Sequence, residues 1–412
     1  MKILMLAARN LFRNTRRTLI TLMAITFGLA MIHFTINLQT GQYHEMITKG
    51  ISTLAGHVVV SAAGYRDDPD PDRVLTGADA VAEALATALP DAIIAPRIFL
   101  GGLLNSPTSS VGVALTGLDP EAEAKVQDIV DKIREGRWLD DDVHGIVIGE
   151  KMAESLSVGL GDKLVYMGQH GDATEMTSQL FRVRGIFRTG SAELDGFAAF
   201  SNLEAARSLF GAGDIAHMVT VHLPEASGTA AALELARTAL ADTPGIEILS
   251  WRQALPEITA MIQLDRASGD VVLIILGIIV SMGVLNTVLM SALERTREFG
   301  VMMAIGMKPL QLARVILLEG MVLGILGSLL GIGAGLLLTW PAIAWGIDYS
   351  EYLGGESVDS GGVVVSTIFF ARINPLRMGI YTLGAVVFTT LAALYPAIHV
   401  ARLRPVDAMK HV

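Results

Sequence analysis

The residues with chemistry to offer are charges, few in number and clustered. Glu294, Arg295, Arg297 and Glu298 stand in ERTREFG (294–300), directly after 23 uncharged residues, 271–293. Such charges cannot enter lipid cheaply, so the segment either marks the water boundary at the end of a membrane helix or passes force from that helix to something outside the membrane. Glu319 is a second candidate, a lone carboxylate in ILLEGMVLG, five residues after Arg314. On a helix that is roughly 7–8 Å further along the axis. At that depth in lipid a carboxylate costs several kcal/mol unless paired or hydrated. It therefore reads as snorkelling to the interface, pairing with a nearby arginine, or relaying motion between helices. The acidic runs 140–142 and 67–72 have donors for a cation, though such runs are more often solvated turns. Cysteine is absent, which removes thiolate chemistry, disulfides and zinc–thiolate sites. The sequence contains no G-x-x-x-x-G-K-[ST] phosphate loop, no visible nucleophile–base pair and no metal cluster, so no enzyme activity is expected on this chain.

These charges must be positioned by apolar elements. The chain has 412 residues, 51% hydrophobic and 17% charged, against about 25% charged in soluble domains. Four stretches read as membrane-spanning: 18–38, 267–293, 311–345 and 375–401. The first is too long for the apolar core of a signal peptide and no A-x-A site follows it. His33 and Asn37 share a face of it and read as packed against another helix. The uncharged run before Glu294 is long enough to cross roughly 30 Å of hydrocarbon. ERTREFG and the amphipathic residues after it, 294–310, therefore sit at one surface. Residues 1–17 alternate apolar side chains with Lys2, Arg9, Arg13, Arg16 and Arg17. They read either as a helix in the headgroup region or as a topogenic charge cluster. The third span carries Gly320, Gly324, Gly327, Gly331 and Gly335 at four-residue intervals broken once, a spacing that lets helix backbones approach closely in lipid. Gly331, Gly333 and Gly335 lie inside an apolar span, which excludes a dinucleotide-binding loop.

Residues 39–266 form a large block ending in a helical stalk at 251–266. Strand-like runs are expected at 57–61, 110–117, 145–149, 163–167, 180–187, 218–223 and 246–250. Helices are expected at 78–89, 120–135, 150–156, 203–210 and 228–242, with Gly, Pro and Asp between. This reads as an α+β domain with two successive subdomains. A loop follows the third span at 346–374, with a possible strand at 363–370, and a tail at 402–412.

Charge fixes a topology. Residues 41–266 hold 17 Lys+Arg against 32 Asp+Glu, and the remainder 14 against 9. The acidic block argues against nucleic-acid binding. With four crossings, the basic N-terminus, the 294–310 segment and the C-terminus all fall on the cytoplasmic side, and both acidic segments fall outside. The fold class is an α-helical membrane protein with four transmembrane helices and a large α+β periplasmic domain inserted between helices 1 and 2.

Four segments carry a family resemblance: RNLFRNTRRTLIT, ALERTREFGVMMAIGMKP, LARVILLEGMVLGILGSLLG and YPAIHVARLRPVDAMKHV. They resemble the FtsX-like permease family, in its MacB/LolC/LolE group of ABC transporter permease subunits. GIVIGEKMAESLSVGLGDKLVYMG in the outer block is similar to the lipoprotein-release permeases, whereas ERTREFG is nearer to the efflux relatives. The resemblance implies mechanotransmission: a separate ATPase dimer, carrying ATP and Mg, pushes the helix after the second span, and the stalk relays motion to the periplasmic domain. It assigns Glu294, Arg295, Thr296, Arg297, Glu298, Phe299 and Gly300 to the ATPase contact, with no cofactor on this chain. It also implies a bacterial inner-membrane location and a second permease, either another copy or a homologue. The substrate readings are extraction of lipoproteins, efflux of amphiphilic drugs or peptides, or, in another class, a signal relay to a periplasmic hydrolase. For the first, Phe34, Ile36, Leu38, Met261, Ile262 and Leu264 form the expected substrate-facing surface.

Overall fold

The computed structural model describes residues 15–169, 176–211, 213–350, 358–359, 364–365 and 367–402. The segments expected at 1–17 and 402–412 fall largely outside them. In chain order the main elements are α1 (Thr15–Gly50, followed by a π-turn at Ile51–Ala55), β1 (Val58–Ala62), α2 (Ala78–Ala88), β2 (Ile93–Asn105), β3 (Ser110–Leu118), β4 (Ile133–Gly136) and β5 (Gly145–Gly149). Then come α3 (Glu150–Leu156), β6 (Lys163–Gly168), β7 (Thr177–Phe187), β8 (Ala198–Asn202), α4 (Leu203–Phe210), β9 (Met218–His222), α5 (Thr229–Ala239) and β10 (Ile246–Ser250). The chain closes with α6 (Pro256–Glu294), α7 (Thr296–Ala304), α8 (Pro309–Ala344), α9 (Pro375–Ala392) and α10 (Leu394–Ala401). It divides into a helical unit, Met1–Tyr43, Gln263–Ile347 and Ile368–Val412, and an α+β unit, His44–Ile262 and Asp348–Thr367. Helices α1 and α6 each contribute residues to both.

Four helical stretches are long and apolar enough to cross a membrane: Thr15–Ala55, Pro256–Glu294, Pro309–Ala344 and Pro375–Ala401. The first two have 41 and 39 residues, about 60 Å each, or twice a hydrocarbon core. The expected stalk is therefore not a separate element. Only Trp251–Ala254 forms its own short helix, and from Pro256, whose fixed φ suits a first helical turn, α6 runs unbroken to Glu294.

Inside the helical unit, Ile25, Val284, Val288, Phe299, Leu312, Ile316, Leu323, Ala393 and Ala397 form one buried cluster. The glycines of α8 set its spacing, and they serve two partners. A methyl at Gly320 would lie 2.4 Å from Ala393 Cβ, and one at Gly324 2.1 Å from Thr389 Oγ1, so these two admit α9 and α10. A methyl at Gly327 would reach Ile25 at 2.6 Å, at Gly331 Leu29 at 2.9 Å, and at Gly335 His33 at 2.8 Å, so these three admit α1. Gly333 meets nothing within 4 Å. His33 is fully buried, with Nε2 3.2 Å from Thr382 Oγ1. Asn37 accepts from the Asn374 amide at 3.1 Å and offers Nδ2 to Thr339 at 3.4 Å.

The α+β unit is built on a ten-stranded sheet in the order β10-β1-β9-β2-β3-β8-β5-β7-β4, with β6 pairing both β2 and β7. Pairing is antiparallel except between β3 and β8 and between β5 and β7. The expectation of two successive subdomains is corrected by β10. It returns to pair with β1, Val58 opposite Ser250, so the two ends of the block share one core: Val58, Val60, Leu85, Val219, Val221 and Ala236. The middle builds two more, a large one around Ile98, Leu115, Ile146, Leu164, Tyr166 and Phe181 and a smaller one around Val147, Phe187 and Phe200. The expected helix at 120–135 is also corrected. Asp119 caps it, accepting from the Glu121 amide at 2.9 Å, but it stops at Glu123, whose carboxylate is drawn inward to Arg97. Residues 133–136 then join β7 as an edge strand. The 13-residue β2 has no counterpart in the expected strands. Pro96 and Gly101-Gly102 give it the look of a turn, yet Gly102 is what lets Tyr166 cross the strand and donate to the Gly101 carbonyl at 2.9 Å.

Candidate functional site

Helix α6 stops at Glu294, and Arg295 takes the bend that begins α7, with φ −104° and ψ 7°. A buried guanidinium fixes the bend. Arg295 donates from Nη1 to Glu319 Oε1 at 3.0 Å and from Nε to Glu298 Oε2 at 3.2 Å. It also lies 5.1 Å from the centre of the Phe299 ring. The Arg295 and Glu319 side chains are 7% and 6% exposed. Either charge alone would be expensive there; paired and forked, they hold α7 against α8. Thr296 Oγ1 donates to the Leu293 carbonyl at 2.8 Å and satisfies one acceptor at the end of α6. Arg17 forks onto Glu294, at 2.8 and 3.2 Å, and so ties α1 to the same corner.

The far end of α7 is equally determined. Gly306 has φ 105°, which a side chain would resist. Its amide reaches the Met303 carbonyl, and that of Met307 reaches Met302, both at 3.0 Å, the bonding of a Schellman cap. Pro309 then starts α8 in its first turn, and Gln311 Oε1 accepts from the Lys308 amide at 3.0 Å.

This geometry sorts the seven residues assigned to the ATPase contact. Arg295, Thr296, Phe299 and Gly300 are buried within the helical unit, and the side chains of Arg295, Thr296 and Phe299 are engaged inside it. Glu294 is engaged by Arg17, and Glu298 is half-buried on Arg295. Arg297 is exposed and begins a surface that extends past Gly300. Val301 and Ile305 follow it at four-residue intervals, Ile305 82% exposed, and Lys308, Leu310 and Arg314 continue the patch. The i, i+4, i+8 spacing carried that signal in the sequence.

Of the residues expected to face substrate, Ile36 and Ile262 are buried, at 4% and 6% exposure. Met261 and Leu264 are exposed, while Phe34 and Leu38 are half-buried. The helical unit holds a cavity of about 390 Å³ between α1, α6 and α9, a volume usual for small-ligand sites. Leu273, Val280 and Phe388 are among its apolar walls, and Asp270, Arg377 and Tyr381 stand together at one end. Arg377 Nη2 donates to the Tyr381 hydroxyl at 2.9 Å, which in turn donates to Asp270. In the acidic runs, Asp140 pairs with Arg137, Asp142 with Arg184 and Asp68 with Arg73. Among the described residues no group of three or more His, Asp or Glu is placed to hold a metal.

The sequence profile of the MacB-like periplasmic core domain matches residues 18–239, more than half of the chain, and that of the FtsX-like permease C-terminal region matches 271–405. The lipoprotein-releasing system transmembrane protein LolC of Neisseria meningitidis is 21% identical over 408 residues, covering 96% of this chain and 94% of its own length. LolC of Xylella fastidiosa is 24% identical over 410 residues, covering 95% and 93%. The macrolide export ATP-binding/permease protein MacB of Bdellovibrio bacteriovorus is 28% identical over 160 residues, covering 39% of this chain and 21% of its own. The crystal structure of the periplasmic region of MacB from Actinobacillus actinomycetemcomitans aligns with a TM-score of 0.37 at 16% identity, over 51% of this chain and 95% of that one.

Proposed function

This chain belongs to the FtsX-like ABC transporter permeases that carry a MacB-like periplasmic core domain, and on that premise we propose that it is a mechanotransmitting subunit driven by a separate ATPase dimer. One observation carries the reading. A single helix, α6, begins at Pro256, one short helical turn (Trp251–Ala254) after the strand β10 at the edge of the α+β sheet, and ends at α7, a short helix bolted down by Arg295 and Glu319. A push on the exposed face of α7 acts on a fixed element, so it displaces α6 instead of bending a loop. The ATPase contact is Arg297, Val301, Ile305, Lys308 and Arg314, an apolar centre with a basic rim. The α+β domain, inserted between the first and second spans, lies in the periplasm; both termini and α7 face the cytoplasm of a bacterial inner membrane. A second permease, identical or homologous, completes the pair.

The substrate is a lipoprotein released from that membrane. Full-length similarity to two proteins named for lipoprotein release supports this. The cavity between α1, α6 and α9, apolar with a polar end, suits an amphiphile more generally, and favours efflux of amphiphilic drugs or peptides as the second reading. Two measurements test the proposal. Arg297→Glu combined with Ile305→Asp is expected to lower co-purification of the ATPase at least tenfold while leaving the folded permease intact. Undiminished co-purification refutes the contact. Purification of the complex from its native membrane, followed by mass spectrometry, is expected to return acylated protein; small amphiphiles alone favour efflux.

A further inference from the structure

The end of α1 inside the α+β unit is held in an unusual way. A helix leaves its last carbonyls without partners, and here the π-turn Ile51–Ala55 adds to them. One buried side chain takes most of these acceptors. Arg97, in the middle of β2 and 1% exposed, donates from Nη1 to the carbonyls of Thr53 at 2.7 Å and Leu54 at 3.2 Å, and from Nη2 to that of Ser52 at 3.2 Å. Its remaining donors fork onto Glu123, Nε to Oε1 at 2.5 Å and Nη2 to Oε2 at 2.9 Å. Glu123 is fully buried, and Gln127 Nε2 donates to its Oε2 at 2.7 Å. The Ile51 carbonyl is taken by the Gly56 amide at 2.8 Å. Burial, with Arg97 and His57 adding to it, pushes His222 on the adjacent strand down to about 3, so that imidazole is neutral beside the Arg97–Glu123 pair.

A domain needing only stability has little reason for this arrangement, since well-packed apolar residues commonly replace a buried ion pair at no loss. What apolar residues cannot do is bond to three successive helix-end carbonyls. The placement adds to the point. Strand β1 begins three residues after Ala55 and pairs with β10, Val58 opposite Ser250, and the Trp251 amide donates to the His57 carbonyl at 3.1 Å. The chain arriving from α1 and the chain leaving toward α6 are thus rooted side by side in the sheet. We propose that Arg97, set by Glu123, is a positioning residue for transport: it makes the root of α1 a rigid joint, so that displacement of the helix moves the sheet. This rests on the mechanotransmission reading.

The chain has no cysteine, so introduced thiols label uniquely. The test places nitroxides at Glu234→Cys, on α5, and Ser268→Cys, on α6, in the full permease with its ATPase in nanodiscs, and measures their separation with and without ATP and vanadate. In the parent chain nucleotide shifts the distance. In Arg97→Met with Glu123→Leu, which fills the space without the donors, the shift is expected to fall by at least half and the distribution to broaden, while thermal unfolding and basal ATPase stay within twofold of the parent. A full shift in the folded double variant overturns the joint alone. No nucleotide-dependent shift in the parent overturns the mechanotransmission reading, and the joint with it. Should the double variant fail to assemble, Arg97→Lys carries the same test, because it keeps the charge opposite Glu123 but has a single donor head.

Discussion

At the scale of residues, the chain uses its few buried charges as fasteners. Arg295 and Glu319 are the example within the helical unit. Removing either breaks a buried forked pair, at a cost of up to about 3–5 kcal/mol, with Glu298 the carboxylate left to Arg295 when Glu319 is lost, whereas replacing both by apolar residues of similar size is often neutral. Glu319→Ala and Arg295→Ala are therefore each expected to lower the unfolding temperature of the purified protein in nanodiscs by several degrees, and Arg295→Met with Glu319→Leu to recover most of it. If Glu319→Ala melts with the parent, the pair does not hold α7, and the push on α7 loses its fulcrum. The same logic separates Glu319 from an exposed carboxylate such as Glu234, which pairs with Arg237 three residues along its own helix; such surface pairs contribute well under 1 kcal/mol.

At the scale of elements, α8 behaves as a strut with two sides. Gly320 faces Ala393 Cβ, an atom that cannot rotate away, so Gly320→Ala forces the helices apart, an overpacking cost of about 1–3 kcal/mol. Gly333 faces open space, so Gly333→Ala is expected to be neutral or to stabilise by up to about 1 kcal/mol through helix propensity. Unfolding of the two variants side by side checks this, and equal effects would mean that the glycines do not set the spacing. Four-residue spacing was legible in the sequence, but the division of the stripe between α1 and the α9–α10 pair was not, because both sets share one period. The spans were legible for a similar reason, since uncharged runs longer than a bilayer admit few readings. Strand β2 was hidden by residues that elsewhere make turns. Arg97 was hidden further: a lone arginine in an apolar run gives no local sign that helix-end carbonyls from 43 to 45 residues earlier in the chain converge on it. In ERTREFG the sequence marked the segment where α6 ends, while which side chains point inward depended on Glu319, a residue of another helix.

At the scale of the whole molecule, charge distribution makes the strongest demand. Residues 41–266 carry 32 acidic against 17 basic side chains, and the rest of the chain reverses the balance. Lysine and arginine near the ends of apolar spans favour the cytoplasmic side, while a long folded block translocates largely regardless of its charge. Putting α7 with Lys308 and Arg314 outside would carry the basic corner across the membrane potential, at about 2.3 kcal/mol per charge per 100 mV. The proposed topology, with an even number of crossings and α6 as one of them, avoids that cost. Single cysteines in this cysteine-free chain check the point directly. A membrane-impermeant maleimide is expected to label Glu234→Cys in intact spheroplasts, and Lys308→Cys only after the membrane is opened. Labelling of both without permeabilisation would place the two ends of α6 on one side of the bilayer. No work done by a cytoplasmic ATPase could then reach the α+β domain along that helix.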